Sequence, residues 1–135
     1  MATIQWSDDL SVHIPSIDRQ HQTLIKLINK LDEAIRNDNG KMVLKVILTE
    51  LTRYTQVHFI YEEALFDMHG YTESENHKKA HEKLFERVEY FNKELNKHHD
   101  DIYDELLAFL NDWLYSHILK QDMAYSKHLV DHGAE

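Results

Sequence analysis

The sequence predicts an all-α fold: an antiparallel up-down-up-down four-helix bundle with an extended N-terminal arm. Three observations predict it. Apolar residues recur at steps of three and four through four successive stretches, the spacing that lines up one face of a helix. Three glycines and one proline in 135 residues are too few breakers for a sandwich or barrel, which turns roughly every 8–12 residues. The joints between the stretches are short, which makes neighbouring helices run antiparallel.

Residues 1–17 carry Trp6, Ile14, Pro15 and Ile17 without helical phase and read as an arm laid over the body. The first helix spans about 18–36, with Asp18 as its N-cap and His21, Leu24, Ile28, Leu31 and Ile35 on one face. Asn37-Asp38-Asn39-Gly40 stops it. The second, about 41–68, runs Leu44, Ile47, Leu51, Tyr54, His58, Glu62 and Leu65 down its inner side and ends before Gly70. Thr72-Glu73-Ser74-Glu75 reads as a capping box. It opens a third helix, about 73–97, that aligns His77, His81, Leu84, Val88, Phe91 and Leu95. A polar turn at His98-His99-Asp100 leads to the fourth, about 101–128, with Tyr103, Leu106, Leu110, Trp113 and His117 in phase. No linker, low-complexity tract or long-period repeat divides the chain, so residues 1–135 are expected to form one domain.

The chain has 11 histidines and no cysteine. Lack of cysteine excludes disulfide scaffolds, thiolate zinc fingers, iron–sulfur clusters and cysteine nucleophiles. His21, His58, His77, His81, His117 and Glu62 fall on the apolar stripes, and up-down winding brings all six to one end of the bundle. A single histidine on such a face is most simply a hydrogen-bonded core residue. Five with a carboxylate, unpartnered, would cost several kcal/mol in desolvation and lost hydrogen bonds. A shared metal removes that cost. The spacings agree, because His58-Phe59-Ile60-Tyr61-Glu62 and His77-Lys78-Lys79-Ala80-His81 are i, i+4 pairs that stack two donors on one face. One ion does not comfortably take five imidazoles and a carboxylate, so two ions are implied. No Glu-x-x-His occurs, unlike the carboxylate-rich ferritin-like sites. A histidine-rich site inclines toward reversible ligand binding, with zinc as the competing occupant.

The chain resembles the hemerythrin family, in particular its single-domain bacterial members, over essentially its whole length. The resemblance rests on Ile17-Asp18-Arg19-Gln20-His21-Gln22-Thr23-Leu24, on His58-Phe59-Ile60-Tyr61-Glu62-Glu63, and on Gly70-Tyr71 followed by His77-Lys78-Lys79-Ala80-His81. Trp113-Leu114-Tyr115-Ser116-His117-Ile118 and Asp122 complete it. His13 replaces a small residue, and the His81–His117 interval is longer than in invertebrate members; neither departure touches a ligand position. The resemblance implies two iron ions with a bridging oxo or hydroxo group. His77, His81 and His117 would hold one iron, coordinatively full. His21 and His58 would hold the other, open to dioxygen, and Glu62 and Asp122 would bridge the pair. Leu24, Trp113 and Leu114 resemble the apolar wall of the oxygen pocket, although core packing alone also explains them. The implied activity is reversible dioxygen binding for storage, delivery or sensing, with no side-chain acid or base and no enzymatic turnover.

Geometry adds a condition. Asp122 lies five residues past His117, about 140° around an ideal helix, so both face one site only across a widened turn within 118–121. Tyr54 and Tyr61 fall near the inner face and either touch ligands or pack with their hydroxyls at the rim. Glu63 points about 100° away from Glu62 and is expected to face solvent or at most to support a ligand from behind. The remaining histidines (13, 69, 98, 99, 128 and 132) are expected to be solvated.

Fifteen basic against 24 acidic residues leave a net charge of −9, which repels phosphate backbones and argues against nucleic acid. No stretch approaches the ~18 apolar residues of a membrane span, and no signal peptide is visible, so a cytoplasmic protein is expected. A monomer is the default expectation, and the protein that receives the oxygen is not specified. Two other functions compete: a di-iron peroxidase or nitric-oxide-handling enzyme on the same ligands, and a helical module that binds zinc or nothing.

Overall fold

The structure is a computed structural model that describes residues 5–38, 40–94 and 101–134. After a 3-10 turn at Asp8–Leu10, α1 (Pro15–Arg36), α2 (Lys41–His69) and α3 (Ser74–Glu94) follow in order. The fourth rod is composite. It consists of α4 (Asp101–Ser116), six residues of π-helix (His117–Asp122) and α5 (Met123–Asp131), with right-handed helical backbone at both junctions. α1 packs against α2 and α4, and α3 against α2 and α4, closing a four-helix bundle. No helix is long and apolar enough to cross a membrane, among the described residues. Leu95, the last residue of the expected third stripe, and the turn at His98-His99-Asp100 lie outside those residues.

Two expected helix starts are corrected. α1 begins at Pro15, three residues earlier than predicted, because proline's fixed φ and missing amide suit the first turn. Asp18 is therefore inside the helix, not its N-cap. Its carboxylate turns back to the arm and accepts the Ser11 hydroxyl (2.6 Å) and the Val12 amide (2.9 Å). The capping box at Thr72 is absent as well. Glu73 stands before α3, its carbonyl taking the His77 amide (3.1 Å) and its carboxylate the Asn76 side-chain amide (2.7 Å). Gly70 ends α2 as expected, in the left-handed conformation at φ +67° that a side chain resists.

The arm is a plug more than a strap. Val12, Ile14 and Ile17 are fully buried with Phe66, Tyr125 and Leu129. Ser126 Oγ donates to the Val12 carbonyl, fixing the arm to α5. This apolar cap closes the end of the bundle that holds the histidines. The larger core lies on the other side of them, built on Leu24, Ile28, Leu31, Leu48, Leu51, Leu106, Leu110 and Leu114. Asp18→Ala removes two hydrogen bonds to a half-buried charged acceptor, a loss of about 2 kcal/mol. The urea midpoint should fall at unchanged m-value; an unmoved midpoint would show that the Asp18 tie does not hold the arm.

Candidate metal centre

Each helix delivers its donors by its own phase. His21 lies one turn above Leu24 on α1, and His58 and Glu62 one turn apart on α2. His77 and His81 occupy the first two turns of α3. On the fourth rod the π-helical stretch, with its wider turn, brings His117 and Asp122 to the same side. The widened turn that the five-residue spacing demanded is present. All seven side chains are at most 6% exposed, and five of them are at 0%.

Their donor atoms meet in two overlapping groups. His21, His58, Glu62, His117 and Asp122 each offer an atom within 4.8 Å of the others, and so do Glu62, His77, His81 and His117. Glu62 Oε1 lies 3.2 Å from His58 Nε2 and 3.3 Å from both His81 Nε2 and His117 Nε2. Asp122 spans the groups with its two oxygens. Oδ2 is 2.6 Å from His21 Nε2 and 2.9 Å from His117 Nε2, while Oδ1 is 3.2 Å from His77 Nε2.

Burial favours the neutral carboxyl at Glu62 and Asp122, and their mutual repulsion adds to it at Asp122. The neighbouring imidazoles outweigh this. His58 and His117 hold Glu62 well below its usual range, and His117 with His21 holds Asp122 at about 2. His117 is raised well above an ordinary histidine: burial opposes its charge, but Asp122 and Glu62 dominate. His58 shifts the other way, since burial lowers it more than Glu62 raises it.

Glu62 Oε1, Asp122 Oδ1, His77 Nε2 and His81 Nε2 are buried in this layer with no hydrogen-bond partner. Buried polar atoms normally find partners. Four unsatisfied atoms converging from three helices, all imidazole nitrogen or carboxylate oxygen, fit a site that a metal completes.

Around the donors stands a set of supports. Gln20 Oε1 accepts from His58 Nδ1 (2.7 Å) and Glu63 Oε2 from His81 Nδ1 (3.0 Å), fixing the tautomers that turn Nε2 inward. The Tyr125 hydroxyl donates to Glu62 Oε2; burial, the nearby carboxylates and that bond raise its pKa well above normal, so it stays a donor. Phe59 stacks on His81 (3.5 Å, 5°) and Trp113 on His117 (5.1 Å, 20°). Sequence reasoning left Glu63 between solvent and a support role, and did not anticipate Gln20, Phe59 or Tyr125. A signal existed for Tyr125, which lies three residues past Asp122 and hence on the same helical side.

Leu24 and Leu114 are buried one turn from His21 and His117, on the core side of the layer. Half-buried Trp113 also lines a surface groove of about 240 Å³ with Ala80, Lys83, Leu84 and Phe109. Tyr61 is a rim residue, donating to Ser16 Oγ (2.7 Å), and half-buried Tyr54 packs against the edge of the core. Of the histidines expected to be solvated, His13 and His132 are exposed, whereas His128 is not simply so. It is half-buried on α5, donates from Nε2 to the His69 carbonyl (2.8 Å) and stacks on His132 (4.1 Å, 22°). The fourth rod runs on to Asp131, past its expected end at 128, which places His128 within a packed helix.

A four-helix bundle with a buried imidazole–carboxylate layer defines a metal-binding protein of the non-haem kind. The chain belongs to the hemerythrin family. Residues 12–129 match the model of the hemerythrin HHE cation binding domain. A bacteriohemerythrin of Pseudomonas aeruginosa is 38% identical over 125 residues, spanning 93% of this chain and 80% of that one. One of Stenotrophomonas maltophilia is 34% identical over 132 residues, spanning 98% and 85%. One of Clostridium acetobutylicum is 33% identical over 125 residues, spanning 89% and 96%. The crystal structure of a wild-type hemerythrin aligns with TM-score 0.83 at 26% identity, covering 95% of this chain and 98% of that one.

Proposed function

We propose that this protein binds dioxygen reversibly at a carboxylate-bridged pair of non-haem iron ions and serves in the cytoplasm as a store, carrier or sensor of oxygen. The observation that carries this reading is the buried layer itself, seven imidazole and carboxylate side chains with inward atoms left without partners. His77, His81 and His117 would hold one ion and His21 and His58 the other, with Glu62 and Asp122 shared between the two groups. Bound in the ferrous state, the pair supplies two electrons and a vacant position, the combination that reversible dioxygen binding needs.

The protein's part is to hold and to exclude. Gln20 and Glu63 fix the rings of His58 and His81, and Tyr125 anchors the far oxygen of Glu62. Leu24, Leu114 and Trp113 make the side of the site that faces the core, keeping water and protons from a centre whose oxidation must reverse. In this reading no side chain is needed as acid or base toward a substrate, and the protein's task is binding rather than turnover.

The test is anaerobic loading with ferrous iron, admission of air, then re-equilibration under argon. A visible absorption band that appears with air and disappears under argon is the expected result. A band that bleaches irreversibly points to a peroxidase or other oxidising enzyme. A protein that takes zinc in preference and shows no band sinks both readings.

A further inference from the structure

The outward face of α2 carries large apolar side chains as well as the inward one. Met42, Val46, Val57, Ile60 and Met68 are between 54% and 78% exposed, and they fall within about 80° of one another around an ideal helix. Leu44, Leu51, His58 and Glu62 point into the bundle on the opposite side. A helix with exposed apolar residues opposite its buried side has a second face to cover; here they form a strip of two clusters, Met42 to Val46 and Val57 to Met68, on either side of Glu50 and Arg53. Within the strip stands Arg53, exposed and in no ion pair among the described residues. One turn before it is Glu50, also exposed, 3.4 Å from Lys30 Nζ.

We propose that this face is covered by the same face of a second copy, two α2 helices packing antiparallel about a twofold axis midway between Glu50 and Arg53. A twofold contact must be self-complementary, and this strip is. Antiparallel pairing in that register sets Arg53 of each copy against Glu50 of the other. The same register sets Val46 against Val57 and Val43 against Ile60, twice each. Parallel pairing brings Arg53 against Arg53, as does an antiparallel pairing centred on Arg53. The unpaired cation thus selects one register, the usual work of charges beside an apolar seam. A membrane surface is the poorer occupant, because the strip offers a single arginine and the whole chain carries −9. A single helix pair lies at or below the ~1,200 Å² where stable interfaces begin, so the dimer is a reversible one of roughly micromolar affinity.

Sedimentation equilibrium on the metal-loaded full chain, from ~1 to ~300 µM, reads the proposal. The mass should rise from 16.1 kDa toward twice that value. Ile60→Glu should hold it at the monomer with an unchanged circular dichroism spectrum. Glu50→Arg should weaken association about tenfold or more, and adding Arg53→Glu should restore it. The chain has no cysteine, so Val46→Cys with Val57→Cys provides an independent check by forming a covalent dimer on oxidation. A monomer across the range overturns the proposal, as does a dimer indifferent to Ile60→Glu or a charge swap that fails to rescue. A monomer that pelleted with phospholipid vesicles in an Ile60-dependent way would also overturn it, assigning the strip to a membrane.

Discussion

Replacing His58 with alanine is expected to abolish reversible dioxygen binding and to halve the iron content while the bundle stays folded. His58 lies on the helix that supplies Glu62, its Nε2 3.2 Å from Glu62 Oε1 and 3.4 Å from His117 Nε2. It is one of two histidines assigned to the open ion, against three for the other. Its loss leaves His21 as the only imidazole there, which is too few ligands to hold iron against water. His77, His81 and His117 are untouched, so about one iron per chain should remain. The structural cost is smaller. In the metal-free protein His58 is fully buried and its burial already favours the neutral ring. Truncation therefore removes its packing and the Gln20 hydrogen bond, roughly 1–3 kcal/mol. A domain with about 5–15 kcal/mol of stability survives that. Iron analysis, the visible band and far-ultraviolet circular dichroism separate the two effects. Two irons and an unchanged band in His58→Ala would remove His58 from the open ion.

What the sequence made legible follows from what helical phase encodes. Four stripes gave the bundle, and histidines lying on those stripes gave the buried imidazole–carboxylate layer, because a polar residue in an apolar phase conflicts with burial until it has a partner. The His117–Asp122 spacing even carried its own correction: five residues do not fit an α-helix facing one site, and the backbone answers with a π-turn. Contacts set by how helices rotate against one another were less legible. Gln20 and Glu63 each neighbour a ligand in the sequence, about 100° off its direction. Only the packing of α1 on α2, and of α2 on α3, places them behind the histidine of the adjacent helix. Phe59 is the same case. The arm was legible as a cover, but its depth of burial was not. Val12 and Ile14 have no periodicity, yet both are at 0% exposure as the lid of the site. The second apolar stripe of α2 was hidden by the first, since inner and outer residues alternate so closely that neither breaks the pattern.

The metal-free protein is expected to be most stable near pH 6.5, and bound metal is expected to add more stability as the pH rises. The signs come from the buried layer. Asp122 is lowered from 3.8 to about 2, so it contributes stability fully present above 3.8 and lost as the pH falls through about 2. That amounts to about 2 kcal/mol. Glu62, also lowered, acts in the same direction. His58 is lowered from 6.5, so the unfolded chain takes up its proton more readily and stability already begins to fall below pH 6.5. His117 is raised well above 6.5. Its contribution is complete below 6.5 and is lost as the pH rises through its folded value. Metal acts on this balance through His117, at every pH where its ring carries the proton. An imidazole must be neutral to ligate, so an ion bound to His117 displaces its proton. At low pH that displacement works against binding; at high pH the proton is already gone. The stabilisation by metal should therefore grow by up to about 1.4 kcal/mol per pH unit for one proton released, or roughly 3–5 °C in a domain of this size. Zinc accepts the same donors without redox chemistry. Thermal melts of zinc-loaded and chelator-treated protein from about pH 5 to about pH 9 measure the gap directly. A gap that stays level or narrows with rising pH would mean that His117 is not a ligand, because a metal bound there must expel the proton that Asp122 and Glu62 hold on its ring.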